Sequence, residues 1–427
     1  MPRAGGQYVY LREAFGPLCG FLYGWTLFLV IQTGTIAAVA VGFAKYLGTF
    51  FPAVSQSRYL IAPVSLGGGY ALSLSTAQCA AIALVLGLTA LHTRGIEGGK
   101  WVQNAFTAAK SLALVLLVGA SFVFALRRGA CGDASPWKTN LDAFIASAAA
   151  EPPLKFGLDV GSAVGLGVAV LVAQTNSLFS SDAWNNVTFV AGEVKRPAYT
   201  LPRALALGTV SVTVLYLLCN VGYLAVLPFE SLAHAPEDRV AVAAAQVLLP
   251  AGGAEWMAGA ILVSIFGCES GLVLAGARAF YAMARDGLFF RGAATLNPQR
   301  VPATALWVQA AWSSALVLPR TERTSADGSV SYGSLYNDLL AYVMATALLF
   351  YVLCMFAIVR LRRTRPDLPR PYRAWGYPFV PMAYAAGAIL LVGVLTVFLP
   401  ATTLPGAVLV LSGLPVYGWW SRSRVPR

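Results

Sequence analysis

The stretch Ser177-Leu-Phe-Ser-Ser-Asp-Ala-Trp-Asn-Asn186 lies partway along a hydrophobic segment that begins near residue 162. Hydroxyls, a carboxylate and two amides in succession suit neither lipid nor an unbroken apolar helix, because polar groups without partners are costly there. They suit a discontinuous helix. Unwound backbone frees N–H and C=O groups, which a membrane tolerates only where they line a cavity, and in a cavity they can hold a polar ligand. A second half-helix is then expected to start at Asp182-Ala183-Trp184, with Asp182 as its N-cap. Its N-terminal dipole would favour an anionic group such as a carboxylate. Two readings of Asp182 stay open: a cap on a kinked helix, or a residue that lines the cavity with or without capping.

The rest of the chain provides the setting for a broken helix. Of 427 residues, 58% are hydrophobic and only 11% charged, against about 25% charged in soluble globular proteins. This excludes a soluble enzyme, a disordered chain and a disulfide-stapled secreted domain. A span needs about 20 apolar residues, and the charge-poor runs supply ten: 17–46, 76–92, 102–126, 162–181, 204–227, 256–277, 301–319, 339–359, and two within 374–421 joined at 400–405. Residues 59–75 are also uncharged, but Pro63 and Gly67-Gly68-Gly69 make them read as a loop. No soluble domain fits between the spans. Residues 240–249 read as a short helix on the outer face.

The net charge of +12 reflects loop bias rather than nucleic-acid binding. With the N-terminus inside and spans alternating, most Lys and Arg fall on the cytoplasmic side, as the positive-inside rule requires. The densest piece, 360–373, holds six arginines and one aspartate. Such clusters orient the protein and touch lipid head groups. Cys19, Cys79, Cys131, Cys219, Cys268 and Cys354 occur singly and His92 and His234 are the only histidines, so no disulfide framework, metal site or cofactor is expected. The opening Met1-Pro-Arg-Ala-Gly-Gly-Gln-Tyr has no apolar core and is not read as a signal peptide. Without a His cluster, paired intramembrane acids or a nucleophile motif, the chain is not read as an enzyme.

Besides Asp182, two ionisable residues fall inside spans, where burying charge is costly and function is the default hypothesis. Lys110, in Ala105-Phe-Thr-Ala-Ala-Lys-Ser-Leu, either snorkels to the cytoplasmic interface or acts inside the bundle, bridging helices or cycling a proton. Glu269, in Phe266-Gly-Cys-Glu-Ser-Gly-Leu, reads equally as a polar contact between close-packed helices and as a residue of a transport path.

At these residues the sequence resembles the amino acid–polyamine–organocation permeases, most closely the bacterial relatives of the L-type amino acid transporters. The resemblance is carried, in order, by Pro2-Arg-Ala-Gly-Gly-Gln-Tyr-Val-Tyr-Leu-Arg-Glu-Ala-Phe-Gly, Val102-Gln-Asn-Ala-Phe-Thr-Ala-Ala-Lys and Leu178-Phe-Ser-Ser-Asp-Ala-Trp-Asn-Asn-Val-Thr-Phe. Gly192-Glu-Val-Lys-Arg-Pro, Ala275-Gly-Ala-Arg-Ala-Phe-Tyr-Ala-Met-Ala-Arg-Asp-Gly, Arg365-Pro-Asp-Leu-Pro-Arg-Pro-Tyr-Arg-Ala-Trp-Gly-Tyr-Pro and Leu411-Ser-Gly-Leu-Pro-Val-Tyr continue it.

The resemblance implies an all-α polytopic membrane protein with a LeuT-like inverted-repeat fold that holds an amino acid at mid-membrane. It implies one transmembrane domain over 1–427, with 17–126 as the remainder of the first repeat, 162–360 as the second, and 374–421 as the last two helices. The opening Pro2–Tyr8 motif matches the family's loop after its second helix, so the first two family helices are expected to be absent. Phe179 takes the position of an aromatic gate and Ser180–Ala183 the unwound stretch; Phe179, Ser180, Ser181, Asp182, Ala183 and Trp184 are the candidate substrate-binding residues. Lys110 stands where sodium-coupled relatives bind a cation, which favours sodium-independent exchange or proton coupling; Lys110 and Glu269 are the coupling or helix-bridging candidates. Animal relatives join an accessory glycoprotein through a loop cysteine, but 48–75 has none, so no disulfide-linked subunit is expected. The expected function is secondary amino acid transport across the cytoplasmic membrane, both termini cytoplasmic, with amino acid substrate and membrane lipid as partners and no nucleic acid. The alternative is a non-transporting membrane sensor or a truncated remnant of such a permease.

Overall fold

The computed structural model describes residues 5–95, 99–130, 139–140, 142–143, 146, 158–324, 330–333, 335–367, 370 and 372–422. Cys131, most of the segment 127–161 and the terminal Arg424 and Arg427 lie outside them.

The helices follow the apolar runs. They are α1 (Gln7–Phe15), α2 (Pro17–Phe50, with a π-turn at Leu27–Ile31), α3 (Thr76–Thr93), α4 (Gly99–Ala130), α5 (Ala163–Ser180) and α6 (Pro197–Val226). Then come α7 (Val240–Leu248), α8 (Gly253–Arg285), α9 (Ala303–Leu316), α10 (Leu335–Thr364), α11 (Phe379–Phe398) and α12 (Pro400–Arg422). Their starts show local chemistry. Ser75 caps α3 in a reciprocal box: its hydroxyl accepts from the Gln78 N–H while the Gln78 side chain accepts from the Ser75 N–H at 2.7 Å. Ser162 caps α5 by accepting from the Gly165 N–H.

Among the described residues eight helices are long and apolar enough to cross a membrane. They correspond to seven of the expected runs outside 374–421, plus Phe379–Phe398 within it. The eight do not include α9, a 14-residue helix of about 21 Å by its rise per residue, or α12. The short outer helix expected at 240–249 is α7.

One expectation is corrected. The segment read as a loop at 59–75 is a hairpin of β1 (Tyr59–Gly67) and β2 (Tyr70–Ser75). The three glycines that argued against structure form its turn, with φ of 78°, 66° and 82° at Gly67, Gly68 and Gly69. The hairpin joins β3 (Pro319–Thr324) and β4 (Val330–Tyr332) in a four-stranded antiparallel sheet, β1-β2-β3-β4. The pairing of β2 with β3 spans most of the chain, beyond the reach of local pattern.

Helix α2 sits at the centre, packed against α3, α8, α9, α10 and α12. Ile36, Ala37, Ala38 and Ala40 are fully buried there, and the three alanines are small enough to let backbones approach closely. Polar side chains tie this scaffold across helices. The Gln32 amide donates to the Leu272 carbonyl at 2.9 Å, the Gln309 amide to Val273 at 3.1 Å, and the Trp312 indole to Leu29 at 2.9 Å. Helix α4 packs on α6 and on the outside of α8, while α5 packs against α10 and α11.

Candidate functional site

Helix α5 stops at Ser180. The next residues turn instead of continuing: the Ser181 N–H reaches back to Ser177 and Leu178, and the Asp182 N–H donates to Phe179 at 3.0 Å. Ala183 then takes a left-handed conformation, φ 61°, which an L-residue with a Cβ adopts at a cost. The half-helix expected from Asp182 does not form. Beyond Ala183 the chain runs through two three-residue 3₁₀ turns, Asn186–Thr188 and Ala191–Glu193, because 188 and 189 bond three residues back, to Asn185 and Asn186. Asp182 is therefore not a helix N-cap, and no half-helix dipole starts there to favour an anion.

The end of α5 is satisfied from elsewhere. The Tyr216 hydroxyl of α6 donates to the Ser180 carbonyl at 2.8 Å. Ser180 and Ser181 direct their hydroxyls at the Ser177 and Leu178 carbonyls. Phe179 packs half-buried against the core, and Trp184 stands exposed, its ring 6.1 Å from that of Tyr351.

Asp182 turns inward. Tyr351 of α10 donates its hydroxyl to an Asp182 carboxylate oxygen, and the Asn185 amide reaches the same hydroxyl at 3.4 Å. These three residues, with Gln7, Tyr23, Gln32 and Thr35, line a pocket between α1, α2, α10 and the break. It has about 10 Å³ of free volume, room for one water, so an amino acid fits only if a wall moves. Just before Gln7 the chain is fitted closely to the segment after the break. Gly5 donates its N–H to the Phe189 carbonyl at 3.2 Å. A Cβ on Gly6, whose φ is 52°, would come within 2.3 Å of the Thr188 hydroxyl.

The other two sequence candidates lie apart from this pocket. Glu269, on α8, is fully buried, and neither carboxyl oxygen has a hydrogen-bond partner among the described residues. Its neighbour Ser270 bonds His92 of α3 at 3.1 Å. Lys110 lies on α4, one turn beyond Phe106, whose ring packs on Phe266 at 5.4 Å and closes over Gly267 of α8. Lys110 is half-exposed and forms no ion pair with Glu269 or another described residue.

At the end of the bundle where α8 finishes, ion pairs gather. Arg278 holds Glu193 with two hydrogen bonds, at 2.6 and 3.1 Å, tying α8 to the segment after the break. Asp286 accepts from Arg12 and, at 2.8 Å, from the Tyr8 hydroxyl; burial and this carboxylate push the Tyr8 phenol above its ordinary value. Sequence reasoning found Asp182 but missed Tyr351, which stands in an unbroken apolar helix with no local polar signal.

A bundle of long apolar helices, one of which ends in irregular backbone at a buried polar pocket, defines a multi-pass membrane protein of the transporter class. A family model described as amino acid permease matches residues 1–415. The chain belongs to the amino acid permease family. It is 26% identical to the b(0,+)-type amino acid transporter 1 of Mus musculus over 443 residues, covering 99% of this chain and 77% of that protein. It is 28% identical to the serine/threonine exchanger SteT of Bacillus subtilis (strain 168) over 419 residues, covering 98% and 82%. With the large neutral amino acids transporter small subunit 2 of Homo sapiens it shares 28% over 428 residues, covering 98% and 68%. The family and these relatives are transporters.

Proposed function

We propose that this chain is a secondary transporter that moves amino acids across the cytoplasmic membrane by alternating access. The observation that carries the proposal is the break after Ser180, where Asp182, held by Tyr351, faces a polar pocket at the interior of an amino acid permease. Phe179 gates the site, Ser180, Ser181 and Ala183 offer backbone groups to the substrate's carboxylate and amine, and Trp184 closes its outer side. Asp182 presents a carboxylate suited to an amine. The segments 17–126 and 162–360 are the two repeats around the site, with 374–421 beside them.

Transport is independent of sodium, running as exchange or coupled to protons. Lys110, half-exposed against α8, is the coupling candidate; Glu269, walled in without an opening, belongs to the scaffold. Both termini are cytoplasmic, as the positive-inside bias requires. No disulfide-linked accessory subunit takes part, since 48–75 contains no cysteine.

The test is uptake of a panel of neutral and cationic amino acids into proteoliposomes, with and without internal amino acid, sodium or a pH gradient. Saturable uptake stimulated by internal substrate or by a proton gradient, and indifferent to sodium, is the expected result. The rival reading is a non-transporting membrane sensor or a truncated remnant of such a permease. Amino acid binding with no uptake under any gradient would decide for it.

A further inference from the structure

Strand β3 packs on α10, and beside it a groove of about 590 Å³ runs between α2, α10 and α12. That volume lies within the range of small-molecule pockets, about 300–1,000 Å³. Its long walls are aliphatic: Leu29 and Val30 of α2, Leu339 and Val343 of α10, and Leu404 and Val408 of α12. The groove shares no lining residue with the Asp182 pocket. The π-turn of α2 lies between the two, since Leu27 and Ile31 line the pocket while Leu29 and Val30 line the groove. Leu404 is 52% exposed and Val408 64%, so the groove is reached from the α12 side.

Among the described residues that line this space, Arg320 of β3 carries the only charge. It is 6% exposed, and a guanidinium at that depth is costly unless its charge and its donors are met. They are met in part. One terminal nitrogen donates to the Tyr59 hydroxyl at 3.0 Å and the other to the Gln56 carbonyl at 3.2 Å. Both partners are uncharged, and Arg320 forms no ion pair with an acid among the described residues. Glu322, two residues on and so on the same face of the strand, neither pairs with Arg320 nor lines the groove. The Arg320 Nε is buried and has no partner among the described residues. A guanidinium has five N–H donors in a fixed fork, so more than half of them are unmet here.

We propose that this groove binds a single-chain aliphatic carboxylate, a long-chain fatty acid in chemical class. The carboxylate takes two parallel hydrogen bonds from Nε and the adjacent terminal nitrogen of Arg320, the fork that a guanidinium offers a planar anion. The chain lies along Leu29, Val343, Leu404 and Val408, where its burial drives binding. One unpaired cation at the end of an aliphatic slot matches one negative head on one apolar tail. A fatty alcohol leaves the cation without a counter-charge, and a short carboxylate gives up most of the apolar burial. A phospholipid brings a second chain and a tetrahedral head group to a site with one slot and one planar fork.

The experiment is equilibrium binding of radiolabelled palmitate to the full chain in mild detergent, with unlabelled palmitate, hexadecanol, hexanoate and phosphatidylglycerol as competitors. Saturable binding that unlabelled palmitate displaces, and the other three at equal concentration do not, is the expected result. Arg320→Gln lowers the affinity for palmitate about tenfold or more, the scale of a lost charge-assisted pair. Because Arg320 also ties β3 to Tyr59 and Gln56, Val408→Trp provides an independent arm. It fills the slot from an exposed position on α12, leaves the cation in place, keeps the wild-type melting temperature and weakens palmitate binding by a similar factor. Absence of saturable binding, displacement by hexadecanol, hexanoate or phosphatidylglycerol as effective as by palmitate, or undiminished affinity in Arg320→Gln or Val408→Trp would each overturn the proposal.

Discussion

Asp182 and Glu269 are both carboxyls inside apolar helical segments, and the structure treats them in opposite ways. Asp182 lies where α5 loses its helix, half-buried, with Tyr351 donating to it and a polar pocket in front. Glu269 lies within an unbroken helix, fully buried, with both oxygens unpartnered among the described residues. The surroundings differ just as much. The apolar stretch of α2, at the heart of the scaffold that also contains α8, is 72% buried, against 12% for α5 and 6% for α6. Lipid tails are as apolar as the side chains they meet, so exposed apolar faces drive little association between spans. What ties helices together is then close packing and cross-helix polar bonds, which the scaffold has in Gln32, Gln309 and Trp312. Under the proposed function, α2, α8 and α9 are the frame, and α5 with the turns that follow it is the ligand-facing part.

The largest expected effect tests the ligand-facing side. Asp182→Asn keeps the shape and removes the charge, and uptake should fall at least about tenfold, the scale of one lost charge-assisted contact, at unchanged expression and melting temperature. Tyr351→Phe removes the donor to Asp182 and should cost less, about threefold to tenfold in uptake, with the deficit appearing in apparent affinity before maximal rate. If Tyr351→Phe were harmless while Asp182→Asn was not, the carboxylate would act without being positioned by α10.

Scaffold variants should move stability instead. Gln309→Leu breaks the bond to the Val273 carbonyl and should destabilise the protein by about 1 kcal/mol, read as a lower midpoint in detergent melting. At the small end, Ala183→Gly relieves the left-handed backbone and should stabilise by up to about 1 kcal/mol without harming uptake. A loss of stability in that variant would mean that the Ala183 methyl is packed in a way that outweighs its φ of 61°.

Much of this contrast was legible in the chain. Apolar runs gave the helices, since in lipid every span must satisfy its own backbone, and the polar run from Ser177 to Asn186 marked the break. What followed the break was not legible. Capping preferences suggested a helix starting at Asp182, but the left-handed Ala183 and the i to i+3 bonds at Asn185 and Asn186 make turns instead. The sheet was hidden because β2 pairs with β3 across a separation no local pattern spans. Tyr351 was hidden because a tyrosine in an apolar helix reads the same whether its hydroxyl meets a carboxylate or water.

The most direct test of the assignment is initial-rate amino acid uptake by wild type, Asp182→Asn and Glu269→Gln, reconstituted side by side at matched protein density. Glu269→Gln keeps the size of the buried group and should retain uptake within about twofold, the range of a change away from the site, while Asp182→Asn loses most of it. Loss of uptake in Glu269→Gln with full activity in Asp182→Asn would contradict the account and move the transport path into the frame.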